Sequence, residues 1–246
     1  MPTILRLAPL AAVLFASSLA AKPADFDRIV NDRARSEANR ALDEGRKPAE
    51  VLDFAGVKPG DAVADFMAGS GYFTELLGRI VGPRGVVYAM NPPNFHDPKE
   101  WEKGANARPN IRTLVAPVQQ MQMAPASIDV LFAHHTFHDL YWESERFKFP
   151  RVDVPAVLAD WYRAVKPGGH VVIIDHVGPA GDPRANADKL HRIDPEQVKR
   201  DMAAGGFVLE AESAVLHRNT DDHQASVFAP EMRGKTDRMA LKFRHP

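Results

Sequence analysis

The sequence predicts an α/β fold, a doubly wound sheet of seven strands running mostly parallel. Three observations predict it. First, a short strand ends at Asp65 and passes through the glycine turn Gly69-Ser70-Gly71 into a helix. The helix places Phe73, Leu76, Leu77, Ile80 and Val81 at the i, i+3, i+4, i+7, i+8 spacing of one buried face. Second, strand-like and helix-like stretches alternate along the chain, as crossover-connected parallel strands require. Third, His170–Asp175 is an almost continuous apolar run, which suits a strand covered on both faces.

The chain divides into three parts. Residues 1–21 read as a signal peptide: Arg6 supplies the positive end, Leu7–Ala16 the apolar stretch, and Ser18-Leu19-Ala20 the small residues before a cut after Ala20 or Ala21. The apolar stretch is too short to span a bilayer, so the expected mature protein is periplasmic or secreted, with no stable membrane insertion. Residues 22–47 read as an N-terminal helical extension. Ala24–Arg46 is a polar helix with Phe26, Ile29, Val30, Ala34, Ala38, Ala41 and Leu42 as a thin apolar stripe. Residues 48–246 form the main domain.

Within that domain, Pro48 opens a short helix over Ala49–Ala55, because proline suits the first helical turn. Gly56–Asp61 is a turn cluster. The first strand is Ala62–Phe66, and the helix after the glycine turn stops at Gly82-Pro83. Gly85–Met90 is the second strand, followed by a loop from Asn91 to about Pro109. Ile111–Val115 and Ile128–Ala133 are the third and fourth strands, with Asp129 read as a structural turn residue. Val154–Val165 is a helix broken by Lys166-Pro167-Gly168-Gly169, and Pro195–Ala204 is a helix closed by Gly205-Gly206. Phe207–Glu212 and Arg238–Arg244 complete the strands.

Composition narrows the function. With 246 residues and 45% hydrophobic content, the chain can bury one sizeable core. Its formal net charge is −1 with no basic block, which points to a small-molecule partner and not to nucleic acid. There is no cysteine, which excludes disulfides, thiolate metal sites and cysteine nucleophiles. The oligomeric state is left open.

Three motifs in order resemble the class I S-adenosylmethionine-dependent methyltransferases, over about residues 48–246. They are Asp65-Phe66-Met67-Ala68-Gly69-Ser70-Gly71-Tyr72, then Asn91 about 20 positions beyond the glycines, then Val165-Lys166-Pro167-Gly168-Gly169 before a strand. The resemblance implies a Rossmann-like sheet whose last strand is antiparallel, and S-adenosylmethionine as cofactor. It implies a cofactor site lined by Asp65, Gly69, Ser70, Gly71, Tyr72, Asn91 and Pro117. The sequence departs from that pattern at Asn91, where members carry an acid on the ribose hydroxyls, and at Pro117, where many carry an acid near the adenine. A dinucleotide fold competes for the same turn, but it needs a third glycine where Thr74 stands.

The segment His134-His135-Thr136-Phe137-His138-Asp139 follows the fourth strand, and ligands of open parallel sheets bind outside the carboxyl ends of the strands. His135, His138 and Asp139 are the catalytic candidates, with His138 and Asp139 together as general base, because imidazole accepts and releases protons near neutrality. Further groups lie at Asp175-His176, His191–Asp194 and Asp221–His223. Combined with the first, they offer ligands for a divalent ion, although no local spacing defines a metal site. The expected function is methyl transfer to a small molecule. The alternative is an exported protein of the same fold that has lost the cofactor through Asn91 and Pro117 and binds a metal or small ligand through the histidines.

Overall fold

The computed structural model describes residues 25–101 and 108–246. The expected signal peptide lies outside the described residues. The single long helix expected up to Arg46 is instead three short ones, α1 (Phe26–Val30), α2 (Glu37–Arg40) and α3 (Asp43–Arg46). Local side-chain bonds compete with the continuous helix. Asp32 accepts from the Ala34 amide, Ser36 caps a new helix by accepting from Asn39, and buried Arg35 turns inward onto Val30 O and the Asp43 carboxylate.

Next come α4 (Pro48–Ala55), β1 (Ala62–Phe66), α5 (Tyr72–Val81), β2 (Val86–Asn91), α6 (Pro98–Trp101), β3 (Ile111–Val115) and β4 (Ile128–His134). The chain continues with α7 (Val154–Ala164), β5 (Val165–His176), α8 (Pro183–Leu190), α9 (Pro195–Ala204), β6 (Val208–Ser213) and β7 (Arg238–Arg244). The seven strands form one sheet in the order β3-β2-β1-β4-β5-β7-β6, with β7 antiparallel to both its neighbours and the rest parallel.

Both faces of the sheet are covered. Along β5, Val171 and Ile173 pack with Trp161 and Leu158 of α7, while Val172 and Ile174 pack with Leu76 and Leu77 of α5. This period-2 alternation between two apolar clusters explains the unbroken apolar run.

Beyond one-residue shifts at the ends of β2, β4, α7 and β6, two features differ from the sequence reading. The Lys166–Gly169 turn lies inside β5, because Val165 already pairs with Ile128 ahead of a register shift on β4. A Cβ at Gly169 would stand 2.8 Å from Asp129 O, so only glycine allows this approach. Asp129 itself ties the start of β1 to Lys166, accepting from Ala62 N at 2.8 Å and from Lys166 Nζ at 2.7 Å. Helix α8 carries one buried residue, Ala187, and so shows no apolar period in the sequence.

Candidate active site

The carboxyl ends of β1, β2, β4 and β5 surround a cavity of about 590 Å³. Its floor is the glycine turn. Gly69 and Gly71 take φ of +59° and +84°, and nothing lies within 4 Å of a Cβ built at Gly69, so a ligand can approach the backbone there. Met67 lines the same cavity at φ +52°, a strained conformation for a side chain of its size.

Asn91 ends β2 directly beside the turn. The sequence assigns its amide to a ribose; the structure closes it on Gly69, with Oδ1 accepting from Gly69 N at 3.0 Å and Nδ2 donating to Gly69 O at 3.2 Å. Its first task is therefore to hold the turn's shape, and it also lines the cavity.

The other cofactor candidates scatter. Ser70 is exposed on the turn. Asp65 is buried beneath it and accepts from the Thr74 hydroxyl; burial pushes its carboxyl up to about 7. Thr74 thus serves as the partner of Asp65, which accounts for the absence of a third glycine. Tyr72 points into the N-terminal segment, donating to Asp43 Oδ1 and lying under the Arg46 guanidinium. Pro117 is exposed in the turn after β3 and is not among the described residues lining the cavity.

The histidines form a stacked column. His134 ends β4 against Phe73, His135 stacks on it at 3.8 Å between ring centroids, and His176 stacks on His135 at 4.0 Å. His135 adopts φ +59°, and its amide donates to Ile174 O at 2.7 Å, which turns the chain back over β5. Burial, reinforced by neighbouring histidines and the Arg46 and Arg238 charges, holds His134 and His135 well below the usual imidazole range. Burial likewise takes His176 to about 3 and His191 to about 4. All four are neutral at pH 7.

The metal reading is not upheld. The rings face one another instead of converging their nitrogens, and among the described residues no group of three or more His, Cys, Asp or Glu is placed to hold an ion. His217 and His223 bond Asp237 at 3.0 Å, outside the first cavity.

His138 differs from the rest of the column. It is 4% exposed at the start of a 3-10 turn, His138–Tyr141, and its Nδ1 lies 2.8 Å from Asp175 Oδ1. The other Asp175 oxygen accepts the His138 amide at 2.9 Å. On the opposite side, His138 Nε2 is 3.4 Å from Asp139 Oδ1. Burial disfavours the His138 cation, but Asp175 and Asp139 outweigh it and raise the imidazole to about 9. Asp175 stays below the usual carboxylate range despite burial, because His138 neutralises it. Burial lifts Asp139 to about 6, with His138 opposing.

The protonation order therefore corrects the sequence reading. Near neutral pH, His138 is the cation and Asp139 the group able to take a proton. Sequence reasoning placed Asp175 among possible metal ligands and missed its role in orienting His138. Its signal was present: an acid ending an apolar strand, one strand from the histidine segment.

Aromatic side chains close the cavity. Trp142, Phe95 and Phe147 gather at its mouth, with Phe95 and Phe147 rings 6.2 Å apart, and Phe228 meets His191 at 4.7 Å. Tyr141 turns away from the cavity and donates to Asp201 at 2.7 Å.

Seven strands in this order, a glycine turn after β1 and a cavity above it define a class of protein. Residues 64–173 match the family model described as a methyltransferase domain, and the fold is the Rossmann-like one of the class I S-adenosylmethionine-dependent methyltransferases. Among curated relatives it is 29% identical over 156 residues to an arsenite methyltransferase of Halobacterium salinarum, covering 63% of this chain and 36% of that protein. It is 24% identical over 135 residues to a ubiquinone/menaquinone biosynthesis C-methyltransferase of Haemophilus ducreyi, covering 54% of this chain and 48% of the relative. The matched stretch thus spans less than half the length of either relative. A solved S-adenosylmethionine-dependent methyltransferase from Aquifex aeolicus shares the fold, with a TM-score of 0.59 and 21% identity over 89% of this chain and 98% of that one.

Proposed function

We propose that the protein transfers a methyl group from S-adenosylmethionine to a small molecule, and that Asp139 accepts the proton lost by the attacking atom. One observation carries this reading: His138 and Asp139, with buried Asp175 behind them, line the same cavity that the glycine turn floors.

The residues present fit the cofactor. The space before Gly69 is open, and a cavity of about 590 Å³ accommodates a ligand of that size. Gly69 and Asn91 would hold it from the turn, and Pro92 and Phe95 from the end of β2. When bound, it supplies an electrophilic sulfonium methyl.

The chain's contribution is alignment and proton removal. Asp139 is ionised at neutral pH and faces the cavity. His138, charged between two carboxylates, fixes the direction of Asp139 and offsets its negative charge. Neutral His135 and His176 form a polar wall that adds no charge. Trp142, Phe95 and Phe147 limit the access of water.

Calorimetry with S-adenosylhomocysteine tests the cofactor site, and an absence of both heat and thermal shift refutes it. Tritiated cofactor incubated with a small-molecule extract tests transfer. Asp139→Asn is expected to bind S-adenosylhomocysteine normally and to lose roughly 10²-fold or more in transfer rate, as loss of a general base does. A rate unchanged in Asp139→Asn removes that residue from the chemistry.

We also propose that residues 1–21 direct export and are removed, on the charge, apolar and small-residue pattern of that stretch. N-terminal sequencing of protein from the native cell should begin at Ala21 or Lys22; an intact Met1 overturns export by this route.

A further inference from the structure

Beyond His135 and His176 lies a second cavity of about 710 Å³, which shares those two histidines, Val227 and Phe228 with the first. Its remaining walls come from two stretches far apart in the chain: the α3 region, and the loop between β6 and β7 together with the first residue of β7. They bring together Arg46, Arg218, Arg233, Lys235 and Arg238, against a single acid, Glu44, among the described lining residues.

This is a built site and not a solvated charge patch. Arg238 is 4% exposed, donates from Nη2 to Gly45 O at 2.6 Å, and keeps its buried Nε without a partner. Among the described residues, none of the five cations has a carboxylate within ion-pair distance. The neighbouring acid, Asp237, is engaged by His217, His223 and the Arg218 amide. Burial and the repulsion of Arg218 and Arg46 bring the Arg238 guanidinium down to about 10. Arg238 is buried, Arg46 and Arg218 are half-buried, and Arg233 and Lys235 are exposed at the rim; the three inner cations are costly to hold together unless an anion neutralises them. Their number exceeds what one carboxylate, such as the cofactor's own, would need. Arginine forks suit the several oxygens of a phosphate.

We propose that this second cavity binds the phosphate or diphosphate group of the methyl acceptor, placing the acceptor's reacting end across the His135–His176 wall in the first cavity. The cross-strand pair His176–Arg238 sets the two halves side by side, one strand apart. The inference rests on the methyltransferase reading and names the substrate class for it: a small phosphorylated molecule.

The probes are pyrophosphate and S-adenosylhomocysteine, each titrated by calorimetry into the full chain and into two variants. Arg238→Met removes the buried cation; Arg218→Gln changes a half-buried one and is expected to fold normally. Pyrophosphate should bind the unmodified protein and weaken at least tenfold, roughly, in each variant, as loss of a charged hydrogen bond implies, while S-adenosylhomocysteine affinity stays within about twofold. If pyrophosphate fails to bind, or binds Arg218→Gln as tightly as the parent, the proposal is overturned. If both probes weaken together, the arginines serve the cofactor's carboxylate and the proposal is again overturned. Pyrophosphate binding that Arg218→Gln abolishes, with S-adenosylhomocysteine never binding, supports the anion site and defeats the methyltransferase reading instead.

Discussion

His138 shows how far two neighbouring carboxylates can change one side chain. Its column mates are driven neutral by burial, yet it is held charged by Asp175 at 2.8 Å and Asp139 at 3.4 Å. A measurable pH dependence follows. The folded value is raised from 6.5 to about 9, so the cation's contribution is complete below pH 6.5 and is lost as the pH rises through about 9. We expect the unfolding free energy to fall across that window by on the order of a few kcal/mol at most, and His138→Gln to lack that fall. Parallel pH profiles for the two proteins would refute the charged assignment. The histidines and Asp139 were visible in the sequence as a cluster after an apolar strand. Which of them carries charge was not, because burial and through-space partners set it, and Asp175 lies 37 positions from His138.

The elements were legible to differing degrees, each for an identifiable reason. Strands β1, β3 and β7 and helix α9 have the ends that the sequence predicts, since turn residues bound them. Helix α8 had no apolar period to reveal it, and the N-terminal helix broke at Asp32 and Ser36, where side chains bond the backbone. The β6–β7 connection depends on a contact no local pattern shows. Arg192, fully buried between α8 and α9, grips Asp221 with bonds of 2.8 and 3.1 Å, and Asp221 in turn accepts the Asp237 amide at 2.7 Å. This strut holds the loop that presents Phe228, Arg218 and Lys235. Asp221→Ala leaves a buried guanidinium unpaired and should cost about 3–5 kcal/mol, read as a lower denaturant midpoint at unchanged slope. Replacing the pair together, Arg192→Met with Asp221→Leu, should recover most of it. A single-variant loss well under 1 kcal/mol would show the strut to be dispensable.

The molecule as a whole is a two-faced sheet whose carboxyl edge is completed by the N-terminal segment. That segment packs on α5 through Tyr72–Asp43, Arg79–Asp32 and Asn39–Glu75, and reaches Arg238 through Gly45. Deleting residues up to Arg46 should lower the melting temperature by several degrees, at about 3 °C per kcal/mol for a domain of this size, and abolish pyrophosphate binding. An unchanged melting temperature would mean that the segment is not part of the folded unit. Hydrophobic period, glycine punctuation and strand–helix alternation are local properties, so the sequence sufficed for the sheet, its winding and the glycine turn. The two cavities, the protonation of the His138 array and the convergence of Arg46, Arg218 and Arg238 arise from residues far apart in the chain. Only the packed structure could decide them, because desolvation and charge coupling depend on distance in space and not on position along the backbone.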